Sequence, residues 1–174
     1  MPLPITAPPV TPGSPAASAA PGASSSVGVV RDDSLTAILP PDLDGTPVTL
    51  EEASFQDATA DPGFRDNVER AAFFVVASAE DLASGVVAIP RSATFGDSAF
   101  TDWRETYSEG VCAQAGGVAT NAETTIDGRT VWITTCAGGL TVYQAFVEER
   151  SAIVSLFSLG DARYGERLIG DLRP

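Results

Sequence analysis

The residues best suited to covalent chemistry are two cysteines, Cys112 and Cys136, in a chain that has no histidine and no lysine. All 10 basic residues are arginines. Without histidine the chain has no imidazole to act as a general base or a metal ligand. Without lysine it has no amine for a Schiff base and no ammonium for a phosphate-binding loop. We therefore expect no catalytic residues and a protein that is not an enzyme.

The spacing of the two cysteines favours one disulfide bond. Joining Cys112 to Cys136 closes a loop of about 25 residues, which chain-entropy arguments value at roughly 3–4 kcal/mol. Two separate buried thiols are the alternative, since a zinc site usually needs four ligands and no Cys-x-x-Cys motif is present. Because disulfides persist in oxidising compartments, the pair predicts an extracytoplasmic protein, on the cell surface or secreted.

Carboxylates are the remaining candidates for acid–base chemistry, and several occur in adjacent pairs. Neighbouring residues on a strand point to opposite faces, so such pairs do not converge on one substrate. A glycosidase instead needs two carboxyls held a fixed distance apart across a cleft. Loops explain the pairs better, and a carboxylate-dependent hydrolase stays an alternative. The pairs are Asp32-Asp33, Glu51-Glu52, Glu80-Asp81 and Glu148-Glu149.

The segment Asp42-Leu43-Asp44-Gly45 is similar to the start of a calcium-binding loop, and Glu51 follows at the spacing of that loop's last ligand. Thr46 and Pro47 interrupt the ligand pattern between them. The segment therefore predicts a plain turn. We expect neither a metal nor a cofactor, since no nucleotide-binding motif occurs either.

The formal net charge of the chain is −13, which bears on its partners. An acidic surface repels phosphate backbones and anionic headgroups, so we expect no nucleic-acid partner. Solubility is the ordinary reason for such a charge, and a face that attracts cations is the alternative.

Composition divides the chain into residues 1–28, a disordered linker rich in Pro, Ala and Ser, and residues 29–174, a single domain. Pro2 to Ser26 contain no charged and no aromatic residue, so they bury too little apolar surface to offset the entropy of ordering. Such a segment is typical of a tether that joins a domain to an anchor. We expect the chain to reach a membrane only through an anchor that precedes Met1. A cytosolic protein with an irregular start is the alternative.

The domain shows patterns of both helices and strands. Helices are predicted from Asp61 to about Arg70, from Asp97 or Ser98 to about Ser108, and from Ala162 to Leu172. Short strands are predicted at Leu35–Leu39 and Val48–Leu50, and longer ones at Phe73–Ala77 and Gly85–Pro90. Four strands then follow as a meander, at 123–126, 130–136, 140–147 and 151–159. The clearest hairpin turn is Asp127-Gly128, between the first two of them. The class is α+β, an antiparallel sheet with about three helices on one face.

Aromatic residues cluster in the second half of the domain. Alternation along residues 130–136 places Trp132 on the same face as Cys136. Core packing explains such a cluster in most proteins, and the functional alternative is an apolar pocket between the sheet and the helix that carries Trp103. The candidate ligand-binding residues are Trp103, Arg104, Tyr107, Arg129, Trp132 and Tyr143.

Three segments carry a resemblance to a known group of proteins: Leu39-Pro40-Pro41-Asp42-Leu43-Asp44-Gly45, Asp61-Pro62-Gly63-Phe64, and the terminal stretch 160–173. They resemble uncharacterised bacterial extracytoplasmic, lipoprotein-like domains, and a PsbP-like α+β fold is a further likeness at the level of fold. The resemblance implies no activity. We expect a non-catalytic domain, tethered to the envelope or secreted, that binds a small apolar ligand or another envelope protein. A purely structural module is a further alternative.

Overall fold

The computed structural model describes residues 28–91 and 97–173, with the side chain of Asp97 excepted. The fold is α+β, with one large, mostly antiparallel sheet. The strands are β1 Val30–Arg31, β2 Asp42–Leu43, β3 Thr46–Pro47, β4 Thr49–Leu50, β5 Val68–Ala77, β6 Leu82–Pro90, β7 Val118–Ile126, β8 Arg129–Cys136, β9 Thr141–Val147 and β10 Ala152–Leu159. The α-helices are α1 Glu52–Ala60, α2 Pro62–Asn67, α3 Asp97–Ala113 and α4 Tyr164–Gly170, and two 3-10 helices span Asp33–Ile38 and Glu148–Arg150.

The large sheet has the strand order β1-β5-β6-β10-β9-β8-β7, and β4 also pairs with β5. Every pairing in it is antiparallel except that of β1 with β5. Strands β7 to β10 are therefore neighbours in chain order. Strands β2 and β3 form a separate hairpin. The chain enters the sheet at one edge, beside β5, and β7 forms the opposite edge.

Helices cover both faces of the sheet, whereas the sequence predicted them on one. The central strands explain the difference, because β9 and β10 are buried at almost every position. A strand that is buried on both faces must be covered on both. Helices α1, α2 and α3 supply apolar side chains to one face, here called the α3 face. Helix α4 and the first 3-10 helix cover the other, the α4 face.

The α4 face carries the larger apolar core. Leu168 and Ile169 of α4 and Ile38 of the 3-10 helix pack against alternate residues of the strands. Gly165 lets α4 approach closely, since a Cβ atom at that position would lie only 2.6 Å from the ring of Tyr143. The buried residues that the large sheet contributes to this core are Phe74, Val76, Ala83, Val87, Val131, Tyr143, Ala145, Val147, Ala152, Val154 and Leu156.

Several local predictions in the first half are wrong. Residues 35–39 were expected as a strand, but the segment is a 3-10 helix whose cap, Asp32, accepts a hydrogen bond from the Ser34 N–H. The helix that begins after Asp61 ends at Asn67, because β5 already starts at Val68 and pairs with β6. Helix α1 was not predicted at all.

Helix α3 extends beyond its predicted end near Ser108. Glycine is a common helix terminator, yet the helix continues through Gly110 to Ala113. The reason is tertiary, since Cys112 in the last turn is fully buried and bonded to the sheet. The hairpin turn at Asp127-Gly128 is confirmed: both residues have positive φ, 47° and 76°, as a two-residue turn between β7 and β8 requires.

Candidate binding groove

The predicted disulfide between Cys112 and Cys136 is confirmed. Its Cα atoms lie 5.1 Å apart, and the two residues are 0% and 1% exposed. The bond joins the last turn of α3 to the end of β8. It therefore fixes the position of α3 over the sheet, and with it every side chain that α3 directs toward β7 and β8.

Trp103 and Tyr107 fill the space between α3 and the centre of the sheet. The indole Nε1 of Trp103 donates to Ser155 Oγ at 2.9 Å, and the Tyr107 hydroxyl donates to the Ser155 carbonyl at 3.2 Å. Burial raises the pKa of the Tyr107 phenol. Both residues were predicted to bind a ligand, and both pack between α3 and the sheet without lining the groove described next.

An open groove lies beside them, between α3 and the strands β7 and β8. Its volume is about 590 Å³, within the usual range for small-molecule sites. Two of the predicted residues, Arg104 and Trp132, line it. The lining residues from α3 are Arg104, Glu105, Ser108 and Glu109, and those from the strands include Asn121, Glu123, Trp132, Thr134 and Gln144.

One row of side chains crosses the sheet beneath α3. Pairing places Glu123 opposite Trp132, Trp132 opposite Gln144, and Gln144 opposite Ser155. Beyond Ser155 the row continues to Val86 and Phe73 on the far strands. The row is polar toward β7 and apolar toward β5. The groove therefore lies over the polar end of a face whose other end is ordinary core.

The guanidinium of Arg104 covers the indole of Trp132. Its Cζ atom lies 4.3 Å from the Trp132 ring centre and 5.3 Å from that of Phe100. The terminal Nη2 donates to Thr101 Oγ1 at 3.0 Å, whereas the buried Nε has no hydrogen-bond partner among the described protein atoms. Burial lowers the pKa of Arg104, and the nearby carboxylates of Glu123 and Glu105 oppose this shift. Arg104 is thus a half-buried cation with an unmet donor.

Buried polar side chains form a chain of hydrogen bonds under the groove. Gln144 Nε2 donates to the Arg104 carbonyl at 3.1 Å and to Ser108 Oγ at 2.9 Å. Ser108 donates to Thr134 Oγ1 at 3.1 Å, and Thr134 donates to Asn121 Oδ1 at 2.7 Å. The Oε1 atom of Gln144 is buried without a partner. This chain of hydrogen bonds connects α3 to β7, β8 and β9 beneath the groove.

The rim of the groove is acidic. Glu105, Glu109 and Glu123 are all exposed, against the single cation of Arg104. Glu123 also accepts a hydrogen bond from Trp132 Nε1, with 3.0 Å between the two atoms. The electrostatic field at the rim therefore favours neutral or cationic groups over anions.

Two of the predicted ligand-binding residues lie away from the groove. Arg129 donates to the Ile169 carbonyl at 3.4 Å, near the end of α4. Tyr143 is buried on the α4 face beside Gly165, and burial raises the pKa of its phenol. Gln144 and Ser108 line the groove but were not predicted. Alternation along β9 predicts that Gln144 and Tyr143 lie on opposite faces of the sheet. It does not reveal that Gln144 lies beside Trp132, which depends on the pairing of β8 with β9.

Carboxylates elsewhere have structural contacts. Asp42 Oδ1 accepts from the Gly45 N–H at 3.0 Å, and Asp44 forms an ion pair with Arg167 at 2.9 Å, so the calcium-like segment is a hairpin turn. Among the described residues, no group of three or more Cys, Asp or Glu side chains is arranged to hold a metal ion. In the same part of the chain, every helix is too short or too polar to span a bilayer.

Comparison with known proteins adds no relative: no family model, curated protein or solved structure matches the chain.

Proposed function

We propose that this protein is a non-catalytic binding domain of an oxidising, extracytoplasmic compartment, and that a small ligand binds in the groove between α3 and β7–β8. The buried disulfide supports the compartment. The sequence predicted an apolar ligand, but the mixed lining of the groove favours an amphipathic one, with a planar apolar part and a hydrogen-bonding group.

The observation that carries this proposal is the state of Arg104. A buried donor without a partner costs about 1–3 kcal/mol, and more on a charged group, so native proteins seldom retain one without a reason. The guanidinium also occupies the indole face of Trp132, which is the best stacking surface in the groove. A ligand that stacks on Trp132 and offers an oxygen acceptor to the guanidinium would satisfy this donor, and that gain must exceed the loss of the cation–π contact.

Nile red is a suitable probe, because it is neutral and planar, carries a carbonyl acceptor and fluoresces in apolar sites. We expect saturable binding to one site, with affinity at least ~10-fold lower for Trp132→Leu and for Arg104→Met. Arg104→Met should fold normally, since it replaces a buried unmet cation by an apolar side chain of similar length. Equal affinity for both variants and the native protein would place the dye elsewhere and refute the proposal.

Two controls accompany this titration. Arg173→Met removes an arginine that is exposed at the end of the described chain, and it should leave the affinity unchanged. The anionic dye 8-anilinonaphthalene-1-sulfonate should bind more weakly than Nile red, because the rim carries three carboxylates.

A second candidate function rests on those same carboxylates. Glu105, Glu109 and Glu123 line one groove, which a carboxylate-dependent hydrolase would require. It ranks second because all three are exposed, and a general acid that works near neutral pH needs an environment that keeps it protonated. Hydrolysis of 4-nitrophenyl glycosides that disappears in Glu123→Gln would promote this candidate, and absence of hydrolysis in the native protein would remove it.

A further inference from the structure

Strand β7 forms an unprotected edge of the sheet. It runs for nine residues, Val118–Ile126, and all but the last are exposed. It pairs with β8 on one side, and none of the described residues pairs with its other side. Alternate residues of such a strand direct their N–H and C=O groups outward, ready to bond another strand.

The opposite edge of the sheet shows how this chain protects an edge elsewhere. There β5 is flanked by two short strands, β1 and β4, and helix α1 packs against it. Natural edges are also commonly protected by lysine, proline or inward-pointing charges. Strand β7 has no proline and one charged residue, Glu123, so it keeps the features of an edge that accepts a partner.

The surroundings of β7 specify the chemistry of that partner. On the α3 face, a strand beside β7 would meet Glu123 and lie near Glu105 and Glu109 across the groove. On the other face it would meet Ala122 and Thr124, which are small and uncharged. Because side chains alternate between the two faces, a complementary strand has basic residues at every second position, with small or apolar residues between them.

We propose that β7 binds an extended segment of a protein partner, with alternating basic and small apolar residues, which adds to the sheet as a new strand. Backbone hydrogen bonds to β7 supply affinity, and the three carboxylates supply selectivity. A second copy of this chain fits poorly, because two β7 edges side by side would bring two acidic rims together in a protein of net charge −13. The proposal does not depend on the Nile red site.

The test uses the full chain and a synthetic heptapeptide in which lysine alternates with threonine or valine. Fluorescence anisotropy of the labelled peptide should show binding that weakens as salt is added. Affinity should fall at least ~10-fold for the triple variant Glu105→Gln, Glu109→Gln, Glu123→Gln. The matched control removes three exposed carboxylates elsewhere, as Asp57→Asn, Asp66→Asn and Glu149→Gln, and should change the affinity less than ~2-fold.

Hydrogen exchange separates strand addition from simple charge attraction. With saturating peptide, alternate amides of β7 should exchange at least ~10-fold more slowly, while those of β10 stay unchanged. A peptide of the same composition with its lysines in one block should bind weakly and protect no β7 amide.

Three results would overturn the proposal: no binding of the alternating peptide, binding without protection of β7, or equal affinity for the block peptide. Concentration-dependent dimers with β7 already protected would assign the edge to a second copy instead. Failure of Nile red binding, with the peptide results intact, would overturn the groove proposal alone.

Discussion

The two faces of the sheet are built from the same strands but are covered in different ways. On the α4 face, alternate residues such as Val154 and Leu156 join one continuous apolar core. On the α3 face, the intervening residue Ser155 accepts hydrogen bonds from helix side chains, and the polar row continues to β7. The first arrangement forms the larger apolar core. The second combines buried polar atoms, an open groove and the disulfide.

The largest effect on stability is expected from removing a buried side chain on the α4 face. Leu168→Ala should lower the free energy of unfolding by about 2–5 kcal/mol, because a fully buried leucine leaves a cavity. Urea denaturation measures the loss. Leu159→Ala is the control, since that leucine is 47% exposed and should change stability by less than ~0.5 kcal/mol. A small effect at Leu168 would mean that the α4 face is not the main source of stability.

The α3 face should depend on its disulfide. The double variant Cys112→Ala, Cys136→Ala should lose about 3–4 kcal/mol, the chain-entropy value for a loop of this length. It should also lose Nile red binding under conditions where the protein is still folded, since α3 forms one wall of the groove. Unchanged stability together with unchanged binding would show that α3 is held by its packing alone.

The tyrosines of the two faces should contribute differently to the loss of stability at alkaline pH. This effect should be smaller than those of the two preceding variants. Burial favours the neutral phenol of Tyr107, so its pKa is raised in the folded protein. The stability that this provides is fully present below the unfolded pKa, about 10, and is lost as the pH rises above it. Denaturant titrations from pH 8 upward should show a smaller loss in Tyr107→Phe than in the native protein.

Tyr143→Phe provides the comparison on the α4 face, where burial also raises the phenol pKa. Its effect on the same pH dependence should be the smaller of the two, because ionisation of Tyr107 also breaks the hydrogen bond that its hydroxyl donates to the Ser155 carbonyl. Equal slopes in both variants and the native protein would assign the alkaline loss to other groups.

Local signals predicted the covalent and turn features well. Two cysteines in a chain without histidine indicated the disulfide, and Asp127-Gly128 indicated the hairpin. Alternation also placed Trp132 on the face of Cys136, where it lines the groove. These features depend on residue type and short spacing, which a sequence displays directly.

The position of the groove depends on long-range pairing, which the sequence does not display. Gln144 meets Trp132 because β8 and β9 pair in one register, and Arg104 meets Trp132 because α3 packs over β8. The same limitation explains why helices were expected on one face. Alternation tells which residues share a face, but not what covers that face.

The strand order has a consequence for how the protein is presented to its surroundings. The chain enters the sheet at β1, six strand spacings from β7, or roughly 29 Å at about 4.8 Å per spacing. A surface that contacts the domain at β1 would therefore lie at the edge of the sheet opposite β7, and would leave the exposed strand and its carboxylates accessible.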